Sequence, residues 1–512
     1  MQRRKFITRT LQAGALLPLL GSGLVARPLR GGLFRRSADA SDNVLVLINL
    51  NGGNDGLNTV VPINDTVYHT ARPTIKLSAS ETLAITDGLA LHPQLGATKE
   101  LFDQGDCAIV SSVGYPEQNR SHFRSTDIWH TASDANKIVA TGWLGRYLEA
   151  SHPEYPATLP QSPFAIQIAS SATLALQGTS GSMGIAIDNP DRFYNLAKGL
   201  SVPPDPVPAT LAGPELEFVR SVIEQSNQYS TKIQSAMVDG TTNATYGSDS
   251  LASQLKVVAR LINGGLETGI YVVTLGGFDT HFGQTPLHAQ RMAQLAGAVK
   301  SFLDDVAVAG HADRVAVMTY SEFGRRLNEN GSAGTDHGAA APLFVMGKSV
   351  LGGSVIGGAP SLTDLDSRGD IKYMHDYRQV YASVLRDWLG FSSTDTATIL
   401  GGEFDRLPIF PEATVDVTDA SDARRAGMLL EQNAPNPASS GTTIRFKLPS
   451  AGRAELILYT ADGRRISSLL DRTLTASEQT LTLHTDSIPS GTYLYTLRSG
   501  RYSLTRTMVI RH

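Results

Sequence analysis

Four apolar runs constrain this chain most: residues 44–50 (VLVLINL), 107–113 (CAIVSSV), 270–275 (IYVVTL) and 315–320 (VAVMTY). Each is short, rich in β-type residues and apolar without alternation, the pattern of a strand buried on both faces. A sheet with one wet face would alternate, so these runs predict a mostly parallel sheet flanked by helices. Residues 342–346 and their neighbours read as a fifth strand. Between the third and fourth runs, Met292, Leu295, Val299, Phe302, Leu303 and Val306 recur at helical spacing. Thr285 is placed to cap that helix, and Pro286 suits its first turn. Strand, helix, strand predicts a right-handed parallel crossover. Residues 377–389 read as a last long helix with Asp376 as its cap.

A chain of 512 residues exceeds one small core and predicts two or three domains. A formal charge of −4 leaves no basic excess for nucleic acid or anionic lipid. The single cysteine, Cys107, excludes an internal disulfide framework and a Cys-rich zinc site. It lies inside an apolar run and reads as a small core residue.

Both ends differ from the middle. Residues 1–40 begin with Arg3-Arg4-Lys5-Phe6-Ile7, continue through a weakly apolar run and end in Ala38-Asp39-Ala40. Basic start, apolar stretch and small-residue cleavage site follow the order of an export signal, and the stretch is too short and Gly-rich for a stable membrane span. The double arginine resembles a twin-arginine signal. Residues 411–427 are polar and without apolar period, so they read as a linker. Residues 428–512 carry short strands at 443–448, 454–459, 481–484, 492–498 and 503–510, separated by turn signals. That spacing predicts a small all-β sandwich. Residues 41–410 remain as one α/β domain.

The chemistry gathers where the apolar runs stop. In open α/β sheets, ligands collect beyond the carboxyl ends of strands. The first run is followed by Asp55, the third by Asp279 and His281, and the fourth by Glu322, Arg325, Asp336 and His337. Asp55 also fits an Asn-Asp-Gly turn. Asp279 and His281 are two apart and share a side in extended backbone. Oxygen and nitrogen ligands without thiolate suit a divalent metal, Zn or Mn first, then Ca or Mg. After the second run, Ser121 lies between Arg120 and Arg124. A helix starting there would present free amides to an anion beside a hydroxyl, with the arginines as donors to phosphate or sulfate. A plain helix cap with solvated arginines is the alternative. His288 and His375 are lesser candidates; His92, His130, His152 and His311 read as surface or core residues.

Two resemblances sharpen this reading. The segment from Leu430-Glu431-Gln432-Asn433 to Pro489-Ser490-Gly491-Thr492-Tyr493, with Leu458-Tyr459 and Gly463-Arg464 between, resembles the C-terminal sorting domain of the type IX secretion system. It implies the secretion machinery as partner and a cell-surface or extracellular destination. Asn51-Gly52-Gly53-Asn54-Asp55-Gly56, Ser121-His122-Phe123, Gly142-Trp143-Leu144-Gly145-Arg146, Gly277-Phe278-Asp279-Thr280-His281, Ser321-Glu322-Phe323-Gly324-Arg325-Arg326 and Thr335-Asp336-His337-Gly338 together resemble domain of unknown function family 1501. More distantly, the order of parts is similar to the alkaline phosphatase and sulfatase superfamily, which implies an alkaline-phosphatase-like α/β domain. That likeness implies Asp55, Asp279, His281, Glu322 and His337 as metal ligands and Ser121 as nucleophile. Its Asp-His after a strand reads Glu322-Phe323 here, so one imidazole is missing: either the second metal is absent or weak, or Asp336 or His288 fills in.

The functional expectation is an exported metal-dependent hydrolase of phosphate or sulfate esters. Ser121 and Arg120 would act at the reacting centre, and Arg124 and Arg325 would hold the substrate anion. The alternative is a non-catalytic cell-surface or glycan-binding protein that retains the fold.

Overall fold

The computed structural model describes residues 42–86, 88–155, 158–179, 181–197, 213–411, 424, 427–460, 465–486, 488–499 and 502–512. The expected export signal, most of the expected linker, and Gly463-Arg464 lie outside them. The described residues fall into two units, one within 42–411 and one within 424–512.

In the first unit, β1 (Val44–Asn51) lies inside a nine-stranded sheet. A separate three-stranded sheet follows it, formed by β2 (Val60–Pro62), β3 (Leu83–Thr86) and β4 (Leu89–Leu91). The large sheet continues with β5 (Cys107–Gly114), β6 (Ala165–Gln167), β7 (Ile185–Ala186), β8 (Ile270–Gly276), β9 (Val315–Tyr320), β10 (Ala341–Met346), β11 (Ser354–Ile356) and β12 (His375–Asp376). β1 pairs in parallel with β8 on one side and β9 on the other. Residues alternate between two cores. Val44, Val46, Ile48 and Leu50 enter one, Leu45 and Leu47 the other. Burial on both faces is why the run lacks a polar period, and each such side chain contributes about 1.5–3 kcal/mol of transfer free energy.

Three helices frame the edge where the candidate residues gather: α1 (His122–Thr131), α2 (Gln284–Val308) and α3 (Tyr377–Ser383). Met292, Phe302 and Val306 of α2 pack in the first core; Ile128 and Trp129 of α1 and Tyr377 and Tyr381 of α3 pack in the second. α2 links β8 to β9, and both strands flank β1, so the predicted parallel crossover is present. Its cap differs from expectation. Gly283, in the left-handed region at φ 52°, precedes the helix, while Thr285 and Pro286 lie in its first turn. The free amides of Gly283 and Gln284 donate to the carbonyls of Ser332 and Ala333, so a neighbouring loop satisfies them without a side chain. Asp376 caps α3 through a capping box with Gln379, as its position predicted, but the helix changes to a π-turn over Val384–Trp388.

The sheet is mixed and mostly parallel. β10 runs antiparallel to both β9 and β5. β5 therefore points the same way as β1, β8 and β9, and all four deliver their following loops to one edge.

The second unit stacks two antiparallel sheets. One holds β13 (Leu429–Leu430), β14 (Gly441–Lys447) and β17 (Glu478–His484); the other holds β15 (Gly452–Thr460), β16 (Arg465–Leu474), β18 (Gly491–Ser499) and β19 (Tyr502–Ile510). Ile444 and Phe446 from the first meet Leu456, Leu458, Tyr495 and Leu497 from the second in one core. The expected sandwich is thus present, with the two-residue β13 and β16 as additional strands. β16 is an edge strand, largely exposed, so its sequence carries no apolar alternation to reveal it.

Candidate metal centre

Register brings the site together. β1 ends at Asn51 opposite Gly276 of β8, and Asn49 faces Tyr320 of β9. The loops after these strands therefore start side by side. The loop after β8 supplies Asp279 and His281. The loop after β9 supplies Glu322 and then, on its return, Asp336 and His337. α1 begins over the same edge and supplies His122. The loop backbones touch closely. An atom at the Cβ position of Gly52 would lie 2.4 Å from the Asp279 nitrogen, and Gly52 has φ 120°, so both space and conformation require glycine. The Gly52 amide donates to Glu322 Oε1 at 2.7 Å.

Three imidazoles surround one carboxylate. The Nε2 atoms of His122, His281 and His337 lie 3.6, 3.1 and 3.3 Å from Asp279 Oδ1. Each ring's other nitrogen is already engaged. His122 Nδ1 is 2.8 Å from Glu322 Oε1, His281 Nδ1 is 2.9 Å from Asp336 Oδ1, and His337 Nδ1 is 2.8 Å from the Arg120 carbonyl. A carboxylate or carbonyl only accepts, so each Nδ1 is the donor, and a ring in its neutral form turns the lone pair of Nε2 towards Asp279. This is how an outer partner orients a metal-binding histidine.

The residues fit a cation. One ligand atom from each of His122, Asp279 and His337 can be chosen so that all lie within 4.8 Å of one another. His122 Nε2 and Glu322 Oε2 are buried without a hydrogen-bond partner. His281 Nε2 and His337 Nε2 face each other at 3.0 Å, which requires a proton or a cation between them. Three nitrogens and a carboxylate, with no thiolate, suit Zn²⁺ or Mn²⁺. The cluster opens to solvent: the Asp279 side chain is 50 % exposed, whereas Glu322 behind it is 2 % exposed.

Charge follows this geometry. Burial disfavours the Asp279 anion, but Arg325 at 2.7 Å and the imidazoles outweigh it and hold the carboxyl below its ordinary range. The Glu322 hydrogen bond raises the His122 pKa, and burial lowers that of His337. The hydrogen bond from His281 holds the Asp336 carboxyl low.

The other expected residues are placed as follows. Asp55 is fully buried and lies outside this cluster. Its Oδ2 meets Arg72 at 2.6 Å and accepts from Gln284, and Arg72 also donates to Asn58 Oδ1. His288 stands beside this network, with Nε2 at 3.1 Å from Asn54 Oδ1. Ser121 is exposed and precedes α1, and its side chain makes no capping bond. The Arg120 side chain pairs with Asp366 and Asp370, while its carbonyl holds His337. Arg124 donates to the carbonyls of Asp134, Ala135 and Lys137. Arg325 is buried; besides Asp279 it donates to the carbonyls of Gly52, Gly53, Phe278 and Thr335. Both arginines expected to hold substrate thus have internal partners. Phe323 is buried, its ring 4.9 Å from that of His122 and 4.6 Å from that of His337. Glu322 stands one step back, orienting His122.

The residue that sequence reasoning missed is His122. It was visible only as the neighbour of Ser121. The signal was its place at the first position of a helix that follows a buried strand. Three donors to the Glu322 carbonyl lock that helix start to the β9 loop: Ser125 Oγ, Trp129 Nε1 at 3.1 Å and Gln118 Nε2 at 3.2 Å.

Among solved structures, the chain is similar to a protein in the alkaline phosphatase superfamily from Vibrio parahaemolyticus. The identity is 7 %, covering 88 % of this chain and 85 % of that one, with a TM-score of 0.32. It is also similar to a mutant TAB5 alkaline phosphatase with Mg bound in its M3 site, at 10 % identity, 60 % and 91 % coverage and a TM-score of 0.26. The first immunoglobulin domain of mouse SynCAM 2 matches 16 % of this chain and 91 % of its own length, at 12 % identity and a TM-score of 0.12. No curated protein matches the chain. Among the described residues, no helix is long and apolar enough to cross a membrane. Residues 210–388 match the family described as a protein of unknown function, DUF1501, and residues 434–511 match a secretion system C-terminal sorting domain. These are the two families that the motifs resemble; the motifs at 51–56, 121–123 and 142–146 lie outside the matched ranges.

Proposed function

We propose that this protein is an exported, metal-dependent hydrolase of phosphate or sulfate esters. The observation that carries the reading is the convergence of three imidazole Nε2 atoms on Asp279, each with its Nδ1 engaged elsewhere. His122, Asp279, His281 and His337 would hold the metal, with Zn²⁺ or Mn²⁺ preferred. A bound divalent ion supplies Lewis acidity to an ester oxygen and lowers the pKa of a nearby hydroxyl or water. The chain's own residues do the rest. Glu322 and Asp336 keep His122 and His281 in the required tautomers. Arg325 fixes Asp279 and spans three loops through their carbonyls. Ser121, exposed and one residue from His122, is the proposed nucleophile.

The test is direct. Mature protein loaded with zinc or manganese is assayed on aryl phosphates and aryl sulfates beside Ser121→Ala and Asp279→Ala. Turnover lost in both variants supports the reading. Stoichiometric metal without turnover, or no metal at all, overturns it.

A second reading, a surface protein that retains the fold and binds glycan without catalysis, is favoured by one observation. Arg325 already neutralises Asp279 at 2.7 Å. Glycan binding that survives Asp279→Ala would select it.

A further inference from the structure

We propose that Asp370 is a positioning residue that sets the spacing between the two segments carrying His122 and His337. The metal-affinity arm of its test rests on the metal reading above; the other arm does not. Asp370 lies in the connection between β11 and β12, which supplied none of the sequence candidates for the cluster. It is fully buried. Its own turn is fixed: Asp366 Oδ1 accepts from the amides of Arg368 at 2.8 Å and Asp370 at 2.9 Å.

From there Asp370 reaches both ligand-bearing segments. Its Oδ2 accepts from Arg120 Nε at 2.7 Å and from the Arg120 terminal nitrogen, which also meets Asp366 at 3.0 Å. The Arg120 carbonyl is the acceptor that orients His337, and His122 follows two residues later. The other Asp370 oxygen lies 3.8 Å from Arg326 Nε. The Arg326 amide donates to the Asp336 carbonyl at 3.0 Å, one residue before His337. One buried carboxylate therefore bonds Arg120 on one side of the cluster and faces Arg326 on the other, its Oδ1 being within ion-pair reach of Arg326 but without a hydrogen-bond partner. A paired guanidinium fork carries direction as well as charge. Losing it frees the Arg120 backbone, and with it the carbonyl that selects the His337 tautomer.

The experiment compares full-length wild type with Asp370→Asn, which keeps side-chain volume and removes the charge, and with Asp364→Asn on the same loop. Asp364 is exposed and pairs with Lys372, away from both arginines. Two readouts are taken: zinc affinity by calorimetry, and ring-nitrogen shifts of ¹⁵N-histidine in metal-free protein. The expected result for Asp370→Asn is a loss of zinc affinity of roughly 10- to 100-fold, the usual effect of an outer partner. The His337 ring should also pass from one tautomer to a mixture. Asp364→Asn should move neither. If Asp370→Asn does not fold, Arg120→Lys keeps charge and carbonyl, loses the fork, and should reproduce the tautomer change in weaker form. Unchanged His337 nitrogen shifts in the folded variant overturn the proposal. Should wild type bind no zinc while the tautomer still shifts, the positioning role stands and the metal reading falls.

Discussion

Asp55 and Asp279 follow adjacent parallel strands, and each meets an arginine and lies near imidazole, yet they occupy opposite kinds of site. Asp55 is closed in. Arg72, Gln284 and a buried shell surround it, and both its side chain and that of Arg72 are 0 % exposed. His288 beside it makes its contacts through Nε2, and burial pushes its pKa down to about 4. Asp279 is open. Its side chain is half exposed, and Arg325 and the three Nε2 atoms all meet its Oδ1. The difference is where the second nitrogen of each ring is spent. Around Asp279 every Nδ1 is committed to an outer acceptor, which leaves three Nε2 atoms facing one carboxylate oxygen, the set proposed to hold a metal. Around Asp55 the contacts run through Oδ2 to Arg72 and Gln284, while Asp55 Oδ1, Asn54 Nδ2 and His288 Nδ1 lie buried without a hydrogen-bond partner.

The contrast breaks most visibly at Arg72. Arg72→Met strands Asp55 as a buried, unpaired charge and should cost about 3–5 kcal/mol in urea unfolding. A loss below about 1 kcal/mol, the size of an exposed pair, would mean that Asp55 is not held by that contact. Acid should act on the same network. Folding lowers His288 to about 4 and His92 to about 3 from an ordinary value of 6.5, chiefly through burial. The unfolded chain then binds more protons below pH 6.5, so stability is present at pH 7 and is lost as pH falls towards 4. His288 alone contributes up to about 3 kcal/mol of this, and His288→Gln should flatten the slope of unfolding free energy measured between about pH 7 and 4.5. A profile that stays steep in the variant would move the effect to other groups.

At the open site the balance reverses, with affinity changing more than stability. Asp279→Asn keeps an acceptor for Arg325 and should lower zinc affinity by about 100-fold, with the melting temperature of the metal-free protein within a few degrees of wild type. A variant that unfolds instead would make Asp279 another Asp55. Glu322→Gln alters the acceptor shared by His122 Nδ1 and the Gly52 amide and should lower affinity by roughly 10-fold in the same titration. The last effect belongs to the sandwich. The Tyr495 hydroxyl donates to the Glu431 carbonyl at 2.8 Å and accepts from the Asn433 amide at 2.7 Å. Tyr495→Phe should cost about 1–2 kcal/mol of that unit's stability and leave zinc binding untouched.

Much of this architecture was legible because burial writes itself into local sequence. The unbroken apolar runs became central strands, and the polar residues that ended them reached one edge. Asp279, His281, Asp336 and His337 were readable there as acid and imidazole at the ends of neighbouring strands. Asp55 was readable by the same rule and belongs to another network, because a strand-end position does not say which arginine arrives. Arg72 comes from a later helix end and Gln284 from the start of α2, neither marked by spacing. β16 escaped notice because an exposed edge strand needs no apolar period.

By itself, then, the sequence determined the buried strands, the edge on which chemistry collects, the β-rich tail and its match to a sorting domain. These depend on hydrophobic period and on short contiguous motifs. Only tertiary structure decided that His122 joins the cluster, that Glu322 stands behind it, and that Arg120 and Arg325 are internal ties. Those assignments depend on which atoms of distant segments come within about 3 Å of each other, and hydrogen-bond geometry at that range is set by the packing of the whole sheet.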